Sequence, residues 1–366
     1  MKIALVHDWL TGMRGGEKVL EAVCELYPEA DIYTLLWKKG TVSSTIENHR
    51  IVTSFIQKMP LAEERYRYYL PLMPRAVESF DLSGYDLIIS TSHCVAKGVK
   101  PPKGALNICY CFTPMRYIWD QYEEYFNPER AGIITRSVMA ALRKPLQMWD
   151  VSTVSRVHYF VGISNFIKER IKRIYGRESD LIYPPADVEG YPQNWGGGYF
   201  LMVTALVPYK RVDLAIEAFN QLGYPLKIIG SGPDEDRLKK MAGKNIEFLG
   251  WRSATELKTF YAGARSLIFP QEEDFGIVPV EAQAAGCPVI AFRKGGALET
   301  IEETASGLFF DRPDWSSLKE AVLRFEGLRF DSGKIKNRVQ KFSKQRFLRE
   351  LQEYIEWKRN LWKKNR

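Results

Sequence analysis

Short apolar runs alternate with longer amphipathic stretches along the whole chain. The runs Lys2-Ile-Ala-Leu-Val6, Asp86-Leu-Ile-Ile-Ser90, Leu106-Asn-Ile-Cys-Tyr110, His158-Tyr-Phe-Val161 and Leu181-Ile182 have the length and continuous apolar character of strands covered on both faces. The segment from Glu189 to Tyr199, with Pro192 and Gly196-Gly197-Gly198, is rich in turn residues and poor in apolar ones, so it reads as a linker. The pattern then restarts with Tyr199-Phe-Leu-Met-Val203, a helix reaching to about Leu222, and Leu226-Lys-Ile-Ile229. Ile246-Glu-Phe-Leu249, Ser266-Leu-Ile-Phe269 and Pro288-Val-Ile-Ala291 follow as further strands. Strands alternating with helices predict parallel α/β sheets. Two such domains are expected, 1–188 and 189–344, with a hinge near 184–198 and the C-terminal strand edges of both sheets facing a central cleft.

The stretch that carries most chemistry is Pro270-Gln-Glu-Glu-Asp-Phe-Gly-Ile-Val-Pro-Val-Glu281. It follows an apolar strand and precedes a small-residue helix ending at Gly286, so Glu273 falls in a loop at a strand's C-terminal edge. Glu281 falls in the first turns of the helix, near the positive end of its dipole. Between them, Phe275-Gly276-Ile277 offers backbone N–H groups that a ligand can approach closely. Two carboxylates for vicinal hydroxyls beside amides for an anion describe a site for a sugar joined to a phosphate. The alternative is an acidic loop followed by a helix-capping glutamate.

This segment resembles the Glu-x7-Glu motif of retaining glycosyltransferases of the GT-B fold, glycosyltransferase family 4. The resemblance extends through Gly15-Gly16-Glu17-Lys18, Thr113-Pro-Met-Arg-Tyr-Ile-Trp-Asp120, Ile182-Tyr-Pro-Pro-Ala-Asp187, Leu206-Val-Pro-Tyr-Lys210-Arg211 and Ile229-Gly-Ser-Gly-Pro233. It is strongest to the mannosyltransferase-like branch that builds surface polysaccharides. The resemblance implies two Rossmann-like domains, with a C-terminal helix, 345–366, returning to the first. It further implies a metal-independent hexosyltransferase without a cofactor, using a nucleotide-sugar donor: GDP-mannose first, a UDP-sugar second. The acceptor would be a glycan or a polyprenyl-linked saccharide.

Residue by residue, Glu273 would hold sugar hydroxyls, Glu281 ribose hydroxyls, and Lys210 the diphosphate. Gly15 and Gly16 open a helix after the first strand and would bring amides to the same anion, although a plain strand-to-helix turn also uses glycine. Gly230 and Gly232 would admit the nucleotide, which by resemblance also meets Phe248 and Leu249. Arg116, Tyr117, Trp119 and Asp120 pair a guanidinium with aromatics and a carboxylate, suiting carbohydrate recognition or simply a packed loop. Asp8 and Trp9 would lie near the acceptor. Asp234-Glu-Asp236 has an Asp-x-Asp appearance, but acidic residues in a first helical turn are ordinary capping, and no metal site is expected.

The chain departs from the family at two donor contacts. Ala205 stands where an arginine is usual, so either Arg211 is the substitute cation or donor binding is weakened. Phe112 stands where a histidine is usual, and a phenyl ring cannot donate a hydrogen bond to a sugar hydroxyl. His93, after a strand at the cleft edge, is the replacement. An impaired sugar-nucleotide-binding homologue is therefore the alternative to an active enzyme.

Composition adds limits. The chain has 366 residues, 45% hydrophobic, enough for two cores. Cys24, Cys94, Cys109, Cys111 and Cys287 sit among apolar neighbours, as expected of buried reduced thiols in a cytoplasmic protein. The apolar run before Asp8 is too short for a signal peptide, and no run is long enough to span a membrane. The formal charge of +8 favours anionic partners. No nucleic-acid module is recognisable, so a basic nucleic-acid-binding protein is the weaker reading. Lys344, Arg346, Arg349, Lys358, Arg359, Lys363, Lys364 and Arg366 interleave with Trp357 and Trp362, which suits an anionic membrane surface at the inner face of the cytoplasmic membrane. A terminal helix whose aromatic stripe packs on the protein fits the same pattern. Composition sets no oligomeric state.

Overall fold

The structure, a computed structural model, describes residues 1–128, 132–192 and 196–364. The chain folds as two compact units, 1–185 with 345–366, and 186–344. Among the described residues the first unit holds a sheet of seven parallel strands in the order β3-β2-β1-β4-β5-β6-β7. These are β1 (Ile3–His7), β2 (Asp31–Thr34), β3 (Ile51–Thr53), β4 (Leu87–Ser92), β5 (Leu106–Cys111), β6 (Tyr159–Gly162) and β7 (Asp180–Leu181). The second unit holds six parallel strands in the order β10-β9-β8-β11-β12-β13. These are β8 (Tyr199–Val203), β9 (Leu226–Ile229), β10 (Ile246–Gly250), β11 (Ala264–Phe269), β12 (Val289–Phe292) and β13 (Gly307–Phe310).

Every residue of β1, β4 and β5 is buried, which is why they read as unbroken apolar runs: helices cover both faces of a parallel sheet. The strands β2, β3 and β13 escaped the pattern because runs such as Ile51-Val-Thr53 are too short to stand out from loops.

Helices that matter below in the first unit are α1 (Gly15–Leu26), α2 (Met73–Glu78), α3 (Ile133–Ser152) and α4 (Asn165–Tyr175). In the second unit they are α5 (Val212–Leu222) and α6 (Ile277–Ala284). The long α7 (Lys344–Lys364) brings residues from Gln345 onward into the first unit. Its apolar face packs there: Phe347, Leu351 and Ile355 are buried, and the Trp362 ring lies 4.1 Å from His158. Lys358, counted above with the basic rim, is 7% exposed; its ammonium meets Asp180 at 2.9 Å and lies over the Trp357 ring. Arg366, counted with it, lies outside the described residues. All five cysteines are buried and unbridged. Among the described residues no helix is long and apolar enough to cross a membrane.

A buried charge pair stiffens the first unit. Lys97 and Asp150 are 1% and 0% exposed and meet at 2.9 Å. Asp150 also accepts from Trp119 Nε1 at 2.8 Å and Tyr175 OH at 3.0 Å, while Lys97 donates to the Asp150 carbonyl and Thr153 Oγ1, each at 2.6 Å. Both charges are thus fully hydrogen-bonded, the condition under which a buried pair is tolerated.

Candidate functional site

Two side-chain clusters collect the chemistry, one at the strand ends of each unit. In the second unit β11 ends at Phe269, the loop runs to Gly276, and α6 starts at Ile277. Gly276 takes φ +91°, the left-handed region that glycine enters without Cβ strain, and this sets the entry into α6. The first-turn N–H groups of a helix lack intrahelical partners, so the half-exposed Ile277 and Val278 present a natural anion seat. Lys210 donates to Glu273 Oε1 in a tight ion pair, and Gln271 Nε2 donates to the same oxygen at 3.2 Å. Glu281, in the second turn of α6, accepts from the buried Tyr261 hydroxyl at 3.2 Å. Burial, then the Glu281 charge, pushes the Tyr261 phenol well above its usual range, so it stays a donor to that carboxylate. Glu273 and Glu281 are both partly exposed, which leaves each able to meet a ligand.

Lys210 lies in a 3₁₀ turn, Pro208–Lys210, rather than in the first helical turn. Arg211 caps α5 with φ +53°. Its guanidinium donates to the Pro313 carbonyl at 3.2 Å and lies 3.6 Å from Asp213, while Ala205 is exposed. Gly230 and Gly232 have a packing reason of their own. A Cβ there would fall 1.8 Å from the Thr204 carbonyl oxygen and 2.2 Å from that of Leu206. Phe248 and Leu249 are half-buried against the two cores of the unit. Asp234 is held by the Arg237 guanidinium, at 2.7 and 2.6 Å, in an ion pair three residues along the chain.

Gly295 and Gly296 were missed. Their Cβ positions would fall 2.4 Å from the Glu273 carbonyl oxygen and 2.3 Å from Phe275 Cα, and Gly296 N donates to that Glu273 carbonyl at 2.8 Å. The pair therefore sets the height of the acidic loop. The signal was present: a glycine dipeptide in a strand-to-helix connection, as at Gly15-Gly16.

In the first unit the strand ends of β1, β4 and β5 bring His7, His93 and Phe112 together, with ring centroids 6.2–6.5 Å apart. Gly16, in the first turn of α1, sits over this cluster; a Cβ there would touch His7 and Phe112, each at 3.5 Å. Asp8 is fully buried and accepts from the backbone N–H groups of His93, Cys94, Val95 and Ala96 at 2.7–3.0 Å, and its Oδ2 lies 3.1 Å from His93 Nδ1. Its carboxylate is held by the chain itself, so Asp8 positions the His93 loop. Trp9, 6% exposed, packs edge-on to the His93 ring at 4.5 Å and belongs to the core.

The Asp8 contact places the His93 proton on Nδ1 and leaves Nε2 as an acceptor. Burial lowers the His93 pKa, with Asp8 opposing, so the neutral ring predominates at neutral pH. Glu17 and His7 were not singled out in the sequence. Burial raises the Glu17 carboxyl, but the neighbouring His7 imidazole draws it below the usual value overall. Arg116 and Tyr117 are half-buried, Trp119 is tied to Asp150, and Asp120 is bound by Arg170 at 2.8 Å and Arg173 at 2.7 Å. The 116–120 loop is thus braced from within the unit, with Asp120 paired to Arg170 and Arg173 of α4.

Residues 185–346 match the family model of glycosyl transferases group 1. An uncharacterized glycosyltransferase of Methanocaldococcus jannaschii is 31% identical over 168 residues, 44% of this chain and 48% of that protein. A GDP-mannose-dependent alpha-(1-6)-phosphatidylinositol monomannoside mannosyltransferase of Mycobacterium tuberculosis is 33% identical over 138 residues, 33% of this chain and 36% of that protein. The matches span about half the length of these curated relatives or less. Among solved structures, an Anabaena protein in complex with UDP superposes with a TM-score of 0.70 over 97% of this chain and 100% of that one, at 16% identity. The fold is GT-B, with two Rossmann-like parallel-sheet domains.

Proposed function

We propose that this chain, whose residues 185–346 match the model of the group 1 glycosyl transferases, moves a hexose from a nucleotide diphosphate sugar to a glycan or polyprenyl-linked saccharide. The observation that carries the reading is the Lys210–Glu273 pair beside the N-terminus of α6, with Glu281 further along the same helix. A donor would exchange this internal pair for two better ones: diphosphate oxygens on Lys210 and the α6 amides, sugar hydroxyls on Glu273. Glu281, steadied by Tyr261, takes the ribose hydroxyls.

The acceptor oxygen bonds to the anomeric carbon as the bond from that carbon to the phosphate oxygen breaks, its electron pair leaving with the diphosphate. The acceptor hydroxyl proton passes to the departing phosphate oxygen, so attack and departure share one face and the configuration is retained. Lys210 and the helix amides stabilise the leaving charge in place before the reaction, the most effective form of electrostatic catalysis. His93 Nε2, in the first unit, is the polar group that stands in for the histidine the family has at Phe112. GDP-mannose is the favoured donor because the mycobacterial relative is GDP-mannose-dependent; the UDP complex of the Anabaena protein keeps UDP-sugars second. A lipid-linked acceptor places the work at the inner face of the cytoplasmic membrane. An impaired homologue is favoured by Ala205 and by Phe112, whose ring packs among His7, His93 and Tyr110.

Thermal unfolding across GDP-, UDP- and ADP-sugars tests the reading. One donor should stabilise by about 2.7 kcal/mol at a hundred times its Kd. Glu281→Ala should weaken that donor's binding by about 1.5–3 kcal/mol, the range for hydrogen bonds to charged groups, whereas Glu273→Ala should lose mainly turnover. No shift with any nucleotide sugar, or equal binding and turnover in both variants, would sink the assignment.

A further inference from the structure

The outward face of α3 is apolar along its full length, about 30 Å for a helix of this size. Ile134, Val138, Ala141, Pro145 and Met148 follow at steps of three and four, so they form one stripe, and all are exposed. Ile134 is 78%, Met148 64% and Val138 47% exposed. The opposite face is accounted for: Met139 and Leu146 enter the core of the first unit and Asp150 holds Lys97. At its C-terminal end α3 is joined to α2 by a bond from Trp149 Nε1 to Glu78 Oε1, 2.8 Å. The segment that leads into α2 repeats the composition, with Leu61 58%, Tyr68 72% and Leu72 38% exposed.

The charge on these two surfaces is mainly positive. Over residues 55–75 and 133–152 the exposed ionisable side chains are Lys58, Arg65, Arg67, Arg75 and Lys144 against the single carboxylate Glu64. Monomers seldom leave so continuous an apolar face to water. A second copy is a poor occupant, since a two-fold contact would set Lys144 near its own mate with no exposed acid on the helix to answer it. We propose that this face, 55–75 with α3, docks on an anionic lipid bilayer surface, the stripe entering the headgroup boundary and the cations meeting lipid phosphates. The surface differs from the basic C-terminal helix, whose Trp362 packs on His158 and whose Lys358 is buried, although Trp357 there is 52% exposed. It goes beyond the transfer reaction and stands without it, because lipid docking needs no donor.

The test is co-sedimentation of the full chain with vesicles of phosphatidylcholine alone or with phosphatidylglycerol, no nucleotide sugar present. Wild type should bind only the anionic vesicles and lose binding with added salt. Ile134→Glu/Val138→Glu/Met148→Glu should reduce binding by at least about tenfold, and each cation neutralised to Gln at Arg67, Arg75 or Lys144 by roughly fivefold. Lys363→Glu/Lys364→Glu should leave binding nearly unchanged. The charge variants keep the test valid if the triple apolar variant fails to fold, and donor-induced stabilisation reports separately on the transferase site. Undiminished binding in both α3 sets, or loss only in the C-terminal pair, overturns the proposal. A wild type that ignores vesicles overturns it too, and if it is also a dimer that the triple variant splits, the face belongs to a second copy.

Discussion

Lys210→Ala is expected to lower kcat by about 10²–10³-fold, the usual cost of deleting one preorganised group that meets developing charge. The lysine serves two partners in turn. Without donor it neutralises Glu273, and with donor it would meet the diphosphate as the leaving charge grows. Stability should change little, about 1 kcal/mol, because the pair is partly open to water. Lys210→Arg should recover part of the loss, since it restores charge but not the compact ammonium. The check is steady-state transfer under saturating donor together with donor affinity, to separate binding from the chemical step. An alanine variant with undiminished kcat would remove Lys210 from the mechanism and leave its pair with Glu273 as scaffold only.

The largest effect on folding should come from Asp150→Ala, which strands the Lys97 ammonium at 1% exposure. Breaking one half of a fully buried, hydrogen-bonded pair costs about 3–5 kcal/mol. In a unit of this size that lowers Tm by roughly 6–20 °C. Trp119 and Tyr175 would lose their acceptor at the same time. Replacing both partners, Lys97→Met with Asp150→Leu, should recover most of the loss, since neighbouring sites do not add and no unpaired charge remains. Calorimetry of the single and double variants reads this directly; a single variant that melts with wild type would show the pair to be incidental.

What the sequence revealed and what it hid follow one physical division. The buried parallel strands were legible because coverage on both faces writes an unbroken apolar run, as in Ile3–His7 and Leu106–Cys111. The acidic motif was legible because its partners are close in the chain and Gly276 marks the turn between them. Contacts between distant residues were not. Lys97 and Asp150 are 53 positions apart, and nothing local marks either as the other's partner. Asp8 looked like a ligand group because it ends a strand at the right edge, yet four backbone N–H groups claim it. Gly230 and Gly232 looked like room for a nucleotide, and packing against Thr204 and Leu206 already demands glycine there. The stripe on α3 was hidden for the opposite reason: helical periodicity marks an apolar face but not whether anything covers it.

Transfer itself is the most direct test. Purified protein is incubated with radiolabelled GDP-mannose and a membrane lipid extract, the released GDP is counted against labelled glycolipid, and the new linkage is assigned by NMR. The glycosyltransferase reading predicts equal amounts of GDP and glycolipid, an α-mannosyl product, and loss of both in Lys210→Ala. A folded wild type that neither binds nor consumes GDP-mannose or any other nucleotide sugar would contradict it.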